Sequence, residues 1–360
     1  MPGAAGTPWW AWAWPGLAWA MLVVTAIAGA AGIVAAAAGV ALIAAVFAAV
    51  HHAEVIAHRT GEPFGTLVLA IAVTVIEVAL IVSIMVGVAA DKSGLARDTV
   101  FAVVMIVCNG IVGLCLLVGG ARHHEQGFQT QGASAALAVL AALTILTLVL
   151  PNVTTSAPGP FFSTPQLVFA GVVSLVLYGS FLFVQTVRHR DYFLPLAGED
   201  EAAHAPPPSI RQAVVSLALL VITLIAIVAL AKTLTPALER VITWLGAPKA
   251  LVGVAIAMLV LLPESVAALR AARANRLQTS LNLALGSVLA CIGLTIPAVA
   301  AVSILLGEQL TLGLDLKETE LLALTLFLNV ITLGTGRTTV LQGIVHLVIF
   351  ATFLFLTVVP

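Results

Sequence analysis

The sequence predicts an all-α polytopic membrane protein of about eleven transmembrane helices, with two inverted five-helix repeats behind one extra N-terminal helix. Three observations carry this. Hydrophobic residues make up 61% of the chain and charged residues 9%, with a mean hydropathy of +1.15, a composition foreign to soluble globular domains. Apolar stretches of about 20 residues, enough to cross hydrocarbon, recur along the chain. One long hydrophilic break, from Arg188 to Arg211, divides them into two sets.

The spans are expected at Ala11 to Ala30, Gly32 to Val50, Thr66 to Ala90, Thr99 to Gly119, Ala133 to Leu150 and Leu167 to Val187 before the break. After it come Ala213 to Ala231, Ala250 to Leu269, Leu281 to Leu306, a short one at Leu321 to Leu333, and Thr338 to Val359. The first is read as a retained helix. No Lys or Arg precedes it, as a secretory leader requires, and Trp9, Trp10, Trp12, Trp14 and Trp19 resemble an interfacial aromatic belt. Cys108, Cys115 and Cys291 lie in apolar segments and are expected to pack as small hydrophobes.

Basic residues orient the spans, because cytoplasmic loops are enriched in Lys and Arg. With the N-terminus cytoplasmic, the inner set is Arg59, Arg122, Arg188, Arg190, Arg211, Arg270, Arg273, Arg276 and Arg337, against Lys92, Arg97, Lys232, Arg240, Lys249 and Lys317 outside. The break contains Glu199, Asp200, Glu201 and Pro206 to Pro208, and reads as a cytoplasmic linker. The expected domains are therefore an extra helix at 1–30, a first repeat at 31–190, a linker at 191–210 and a second repeat at 211–360. Five spans per half is an odd number, so the second half must enter the membrane in the opposite sense. That is a common architecture of secondary transporters.

Glu77 and Glu264 occupy the second span of each half. A membrane carboxylate is costly and persists facing a partner, a cavity or an ion. Ile76 to Leu80 can be laid on Pro263 to Ala267, and Val104 to Asn109 on Gly286 to Cys291. This places Asn109 and Ser287 as neutral oxygen donors beside the glutamates, with Thr74, Ser265 and Asn282 as further candidates and Pro263 freeing a backbone carbonyl. Plainer roles compete. A glutamate can serve as a structural hydrogen-bonding group, Glu264 can bridge to Arg270, and small polar residues often bond their own helix.

These residues resemble a family. Gly61-Glu62-Pro63-Phe64-Gly65-Thr66 leading to Glu77, the run Gly119 to Phe128, and Leu262-Pro263-Glu264 followed by Gly286-Ser287-Val288-Leu289 are similar to bacterial cation/proton antiporters of the ChaA type, in the calcium/cation antiporter superfamily. Tyr178 to His189 and Thr335 to Gly343 extend the likeness over nearly the whole chain from His51 onward. The resemblance implies eleven helices, inverted repeats and one essential acidic residue per repeat, falling on Glu77 and Glu264. Thr74 and Leu261 stand where an asparagine is usual, and Cys291 stands opposite Asn109, so oxygen ligands are fewer.

The expected activity is secondary antiport of Ca²⁺, with Na⁺ or K⁺ as alternatives, against H⁺ by alternating access in the bacterial inner membrane. Hard cations take oxygen ligands, and withdrawal from water favours the neutral form of a carboxyl group. Metal and proton then compete for the same oxygens. The partners are the bilayer, inorganic cations and protons, with no nucleic acid, no enzymatic reaction and no tightly bound cofactor. A histidine-box metalloenzyme is the reading from another class, but His51, His52, His58, His189, His204 and His346 lack box spacing. His123 and His124, at a helix end, are candidates for pH sensing. A passive cation channel is the third reading.

Overall fold

The computed structural model describes residues 8–61, 64–85, 94–194, 207–244, 246, 248 and 250–359. Glu62, Pro63, Lys92, Lys249 and most of the expected linker, including Glu199 to Glu201, lie outside the described residues. Eleven continuous helical segments are present among those described. They are α1 (Trp9–Ala28), α2 (Gly32–Thr60) and α3 (Phe64–Met85); α4 (Leu95–His123), α5 (Thr130–Asn152) and α6 (Thr164–Arg188); α7 (Ile210–Trp244), α8 (Ala250–Arg273) and α9 (Leu277–Leu306); α10 (Leu316–Leu333) and α11 (Val340–Val358). Two-residue strands β1 (Gln126–Gly127) and β2 (Arg337–Thr338) pair antiparallel.

Several helices outrun the apolar stretches that announce them. The expected α2 ends at Val50, yet the helix continues through His51, His52 and Arg59 to Thr60. The expected α7 ends at Ala231, yet it continues through Lys232, Pro236 and Arg240 to Trp244. Hydropathy measures the thickness of hydrocarbon, whereas a helix stops only where its backbone does. The short α10 begins with a charged turn, Lys317-Glu318, held by a capping box in which Asp315 Oδ1 accepts from the Glu318 amide at 2.9 Å.

The chain forms two compact units, each taking helices from both halves: Met1–Gly87 with Ala205–Lys249, and Val88–His204 with Ala250–Pro360. The first holds α1, α2, α3 and α7. Here His52, near the end of α2, meets Ser216, near the start of α7, at 3.3 Å, while Arg240, near the end of α7, donates to the carbonyl of Ala30, just before α2, at 3.0 Å. The first helices of the two halves therefore run antiparallel.

The second unit holds α4 to α6 and α8 to α11, and its loops sort into two ends. At one end the strand pair joins the α4–α5 and α10–α11 loops. His123 Nε2 lies 3.1 Å from the Arg273 carbonyl after α8, and Gln129, before α5, donates from its backbone to Gln278 of α9 at 2.7 Å and from Nε2 to the Asp191 carbonyl beyond α6 at 2.9 Å. At the other end Arg97 of α4 reaches the Gly313 carbonyl at 3.2 Å, the Leu312 amide donates to Pro160 before α6 at 3.2 Å, and Lys317 of α10 reaches the Leu356 carbonyl of α11 at 3.2 Å.

Following the chain between these ends gives a direction to every helix of this unit. The third, fourth and fifth helices of the first half (α4, α5, α6) run opposite to their counterparts in the second (α9, α10, α11). The inverted repeat is thus visible in helix direction. The two ends also differ in charge: Arg122, Arg188, Arg190, Arg270, Arg273, Arg276 and Arg337 crowd the first with Glu125 and Asp191, whereas the second carries Asp98, Glu308, Asp315, Glu318 and Glu320 with Arg97 and Lys317.

Candidate functional site

Glu77 sits in the middle of α3 and is 2% exposed. Thr74, one turn earlier on the same face, is also buried. A carboxylate in an apolar helix of this kind is costly and persists when it faces a partner, a cavity or an ion.

Glu264 lies in α8, about 14 Å of helix before Arg273. Its side chain is half-buried, with Oε2 shielded from solvent. Arg270 is exposed. Pro263 removes the amide that would bond the Leu259 carbonyl. Ser287 lies about 15 Å into the neighbouring antiparallel α9, at the same depth as Glu264, and is half-buried. Ser265 spends its hydroxyl on its own helix, donating to the Leu261 carbonyl at 2.6 Å.

Asn282 is drawn to the arginine-rich end. It donates to the Phe193 carbonyl at 2.6 Å and accepts from Gln278 at 3.0 Å, lining a small cleft with Phe128 and Gln185. His123 is half-buried and tied to the Arg273 carbonyl; His124 is exposed with φ 65° at the end of α4. Among the described residues no group of three or more His, Cys, Asp and Glu is placed to hold a metal ion.

Asn109 belongs to a buried network spanning three helices. The π-helical turn Ile106–Ile111 of α4 carries it, and such turns widen a helix at places where side chains must reach a neighbour. Asn109 Nδ2 donates to Thr325 of α10 at 2.9 Å, and its Oδ1 lies 3.1 Å from His346 Nδ1 of α11. His346 Nε2 is 3.1 Å from the Thr332 hydroxyl. Asn329 Nδ2 donates to the Thr325 carbonyl at 2.8 Å, while its Oδ1 is buried with no hydrogen-bond partner among the described residues. An amide oxygen can only accept, so His346 carries its hydrogen on Nδ1 and accepts from Thr332 at Nε2.

His346, Thr325, Asn329 and Thr332 are the members that sequence reasoning missed. A signal existed: Thr325, Asn329 and Thr332 recur at intervals of four and three residues in an apolar helix, which is one face.

Residues 19–187 and 215–359 match the sodium/calcium exchanger protein family. The chain belongs to that family. The two matched segments lie on either side of the hydrophilic break. Within reach of this exchanger chain are y4hA of Sinorhizobium fredii, 56% identical over 88% of this chain and 86% of that protein, and the sodium-potassium/proton antiporter ChaA of Escherichia coli, 38% identical over 86% and 84%. Two solved structures share the exchanger fold: YfkE, with TM-score 0.72 at 14% identity over 97% of this chain and 99% of that one, and the H⁺/Ca²⁺ exchanger CAX, with TM-score 0.70 at 14% identity over 96% and 87%.

Proposed function

We propose that this chain is a cation/proton antiporter of the inner membrane, with its N-terminus cytoplasmic, moving Ca²⁺, or Na⁺ or K⁺ in competition with it, against H⁺ by alternating access. Glu77 and Glu264 carry the cation and the protons, one from the second helix of each repeat. Thr74 and Ser287 support them as neutral oxygens. The observation that carries this reading is the burial of Glu77 in mid-membrane within an inverted-repeat exchanger fold.

A carboxylate at that depth is tolerable when neutralised, and either a proton or a metal ion can neutralise it. A carrier that crosses only when one or the other is bound exchanges them. The inverted repeats supply two mirror-related arrangements of one fold, the usual basis for opening to either side. His123 and His124, at the end of α4, are assigned a modulating role rather than carriage of the cation.

Everted vesicles loaded with a pH-sensitive dye test the reading, with Ca²⁺, Na⁺ and K⁺ added separately. The wild type is expected to release protons on addition of at least one cation, and Glu77→Gln and Glu264→Gln to abolish the signal at unchanged expression. Proton-coupled flux persisting in either variant would overturn the assignment of that residue.

A further inference from the structure

We propose that the arginine-rich end of the second unit is a binding site for the headgroup phosphates of anionic phospholipids in the leaflet it faces. The centre of this site is Arg270, Arg273 and Arg276 with Arg122. Arg270 and Arg273 are three residues apart on the last turn of α8, hence on one face. Asn275, with φ 60°, then turns the chain so that Arg276 precedes α9.

The α4–α5 loop is fastened to this turn: His123 lies 3.1 Å from the Arg273 carbonyl, and Gln126 Nε2 donates to the Ala272 carbonyl at 3.0 Å and to Asn275 Oδ1 at 2.9 Å. Arg122, next to His123 in the chain, thereby falls at the same end as the other three.

Of the described carboxylates at this end, Glu125 is engaged by Arg337 at 3.3 Å, and Asp191 lies beyond α6. Among the described residues no ion pair involves Arg122, Arg270, Arg273 or Arg276.

Two features select a lipid over a free anion. The charges here are guanidinium groups, whose planar fork matches phosphate oxygens. Apolar side chains are exposed toward the same end of the unit: Phe183 and Val187 just before Arg188, and Leu341, Ile344 and Val348 just after Arg337. A ligand with acyl chains below and a phosphate above satisfies both. The positive-inside rule makes this the cytoplasmic leaflet, and clusters of this kind attract acidic lipids there.

Native mass spectrometry of the full-length protein released from nanodiscs of phosphatidylglycerol and phosphatidylcholine in equal amounts tests this. Phosphatidylglycerol adducts are expected to be enriched on the order of fivefold or more, and to fall to parity in the Arg270→Gln/Arg273→Gln/Arg276→Gln variant. Equal retention of the two lipids by the wild type overturns the proposal, and so does enrichment unchanged in the variant. Loss of the adducts on adding millimolar inorganic phosphate identifies a free-anion site and overturns the lipid assignment. The wild-type comparison stands by itself if the triple variant does not fold. The Arg→Lys triple variant, which keeps charge and loses the fork, is expected to retain part of the enrichment; full retention overturns the role given to the guanidinium geometry.

Discussion

His346 Nδ1 lies 3.1 Å from Asn109 Oδ1, joining the last helix to the π-helical turn of α4 inside the second unit. Both side chains are fully buried. His346 is therefore a bridge, donating to Asn109 from Nδ1 and meeting the Thr332 hydroxyl at Nε2. Replacement by leucine strands two polar partners in an apolar core, a loss of about 1–3 kcal/mol for each group left unsatisfied. His346→Leu is expected to lower the unfolding temperature in detergent, while His346→Gln, which can donate and accept, recovers most of it. Equal stability of the two variants would show that the bridge is not made.

Gly113 and Gly343 set how closely α4 and α11 approach in that region. A Cβ on Gly343 would meet the Leu117 backbone and the Gly113 carbonyl at 2.9 Å, and a Cβ on Gly113 would meet His346 Cβ at 3.0 Å. Small residues at such crossings let membrane helices pack backbone to backbone. Gly343→Ala is expected to force the helices apart and cost about 1–3 kcal/mol, read as lost folded yield on size-exclusion chromatography. Gly179, with nothing within 4 Å of its Cβ position, is the control, and Gly179→Ala should leave the yield unchanged.

The proposed competition between proton and metal at Glu77 and Glu264 implies a signed pH dependence of exchange. A protonated carboxyl presents fewer negative oxygens to a cation, so lowering the pH on the side of cation entry should raise the apparent KM for the cation and leave the saturating rate unchanged. Initial rates at several cation concentrations and pH values distinguish this. A fall in saturating rate with constant KM would place the titrating group elsewhere.

The helical membrane fold was legible because a run long enough to cross hydrocarbon announces itself, and Glu77 and Glu264 stand out as charges that have to be explained within such runs. Helix ends were less legible. Arg59, Lys232 and Arg240 end an apolar run without ending a helix. The Asn109 network was half legible. Asn109 stood out as a polar residue in α4, but its partners come from α10 and α11, over 200 residues away, and His346 looked isolated in the sequence because its hydrogen-bonding partners are set by folding. Asn282, a further candidate oxygen in the sequence, has its amide bonded to Phe193 and Gln278 at the arginine-rich end, contacts set by folding.

The extra N-terminal helix is held to the first unit by His52. The Ala11 carbonyl, 3.0 Å from Nε2, can only accept, so Nε2 donates and Nδ1 accepts from the Ser216 hydroxyl at 3.3 Å. One imidazole therefore pins α1 and α7 to α2. Trp10 adds an edge-on contact with His51, at 5.0 Å between centroids, and Trp19 donates to the Ile222 carbonyl at 3.2 Å. Few other polar ties hold α1, whose remaining contacts are apolar and gain little in lipid. His52→Leu is expected to loosen α1 selectively, raising amide hydrogen exchange over Trp9–Ala28 by an amount corresponding to about 1–3 kcal/mol. Exchange in α5 and α6 should be unaffected. Ser216→Ala removes only the weaker bond and should have the smaller effect. Unchanged exchange over α1 in His52→Leu would mean that apolar packing alone holds the helix.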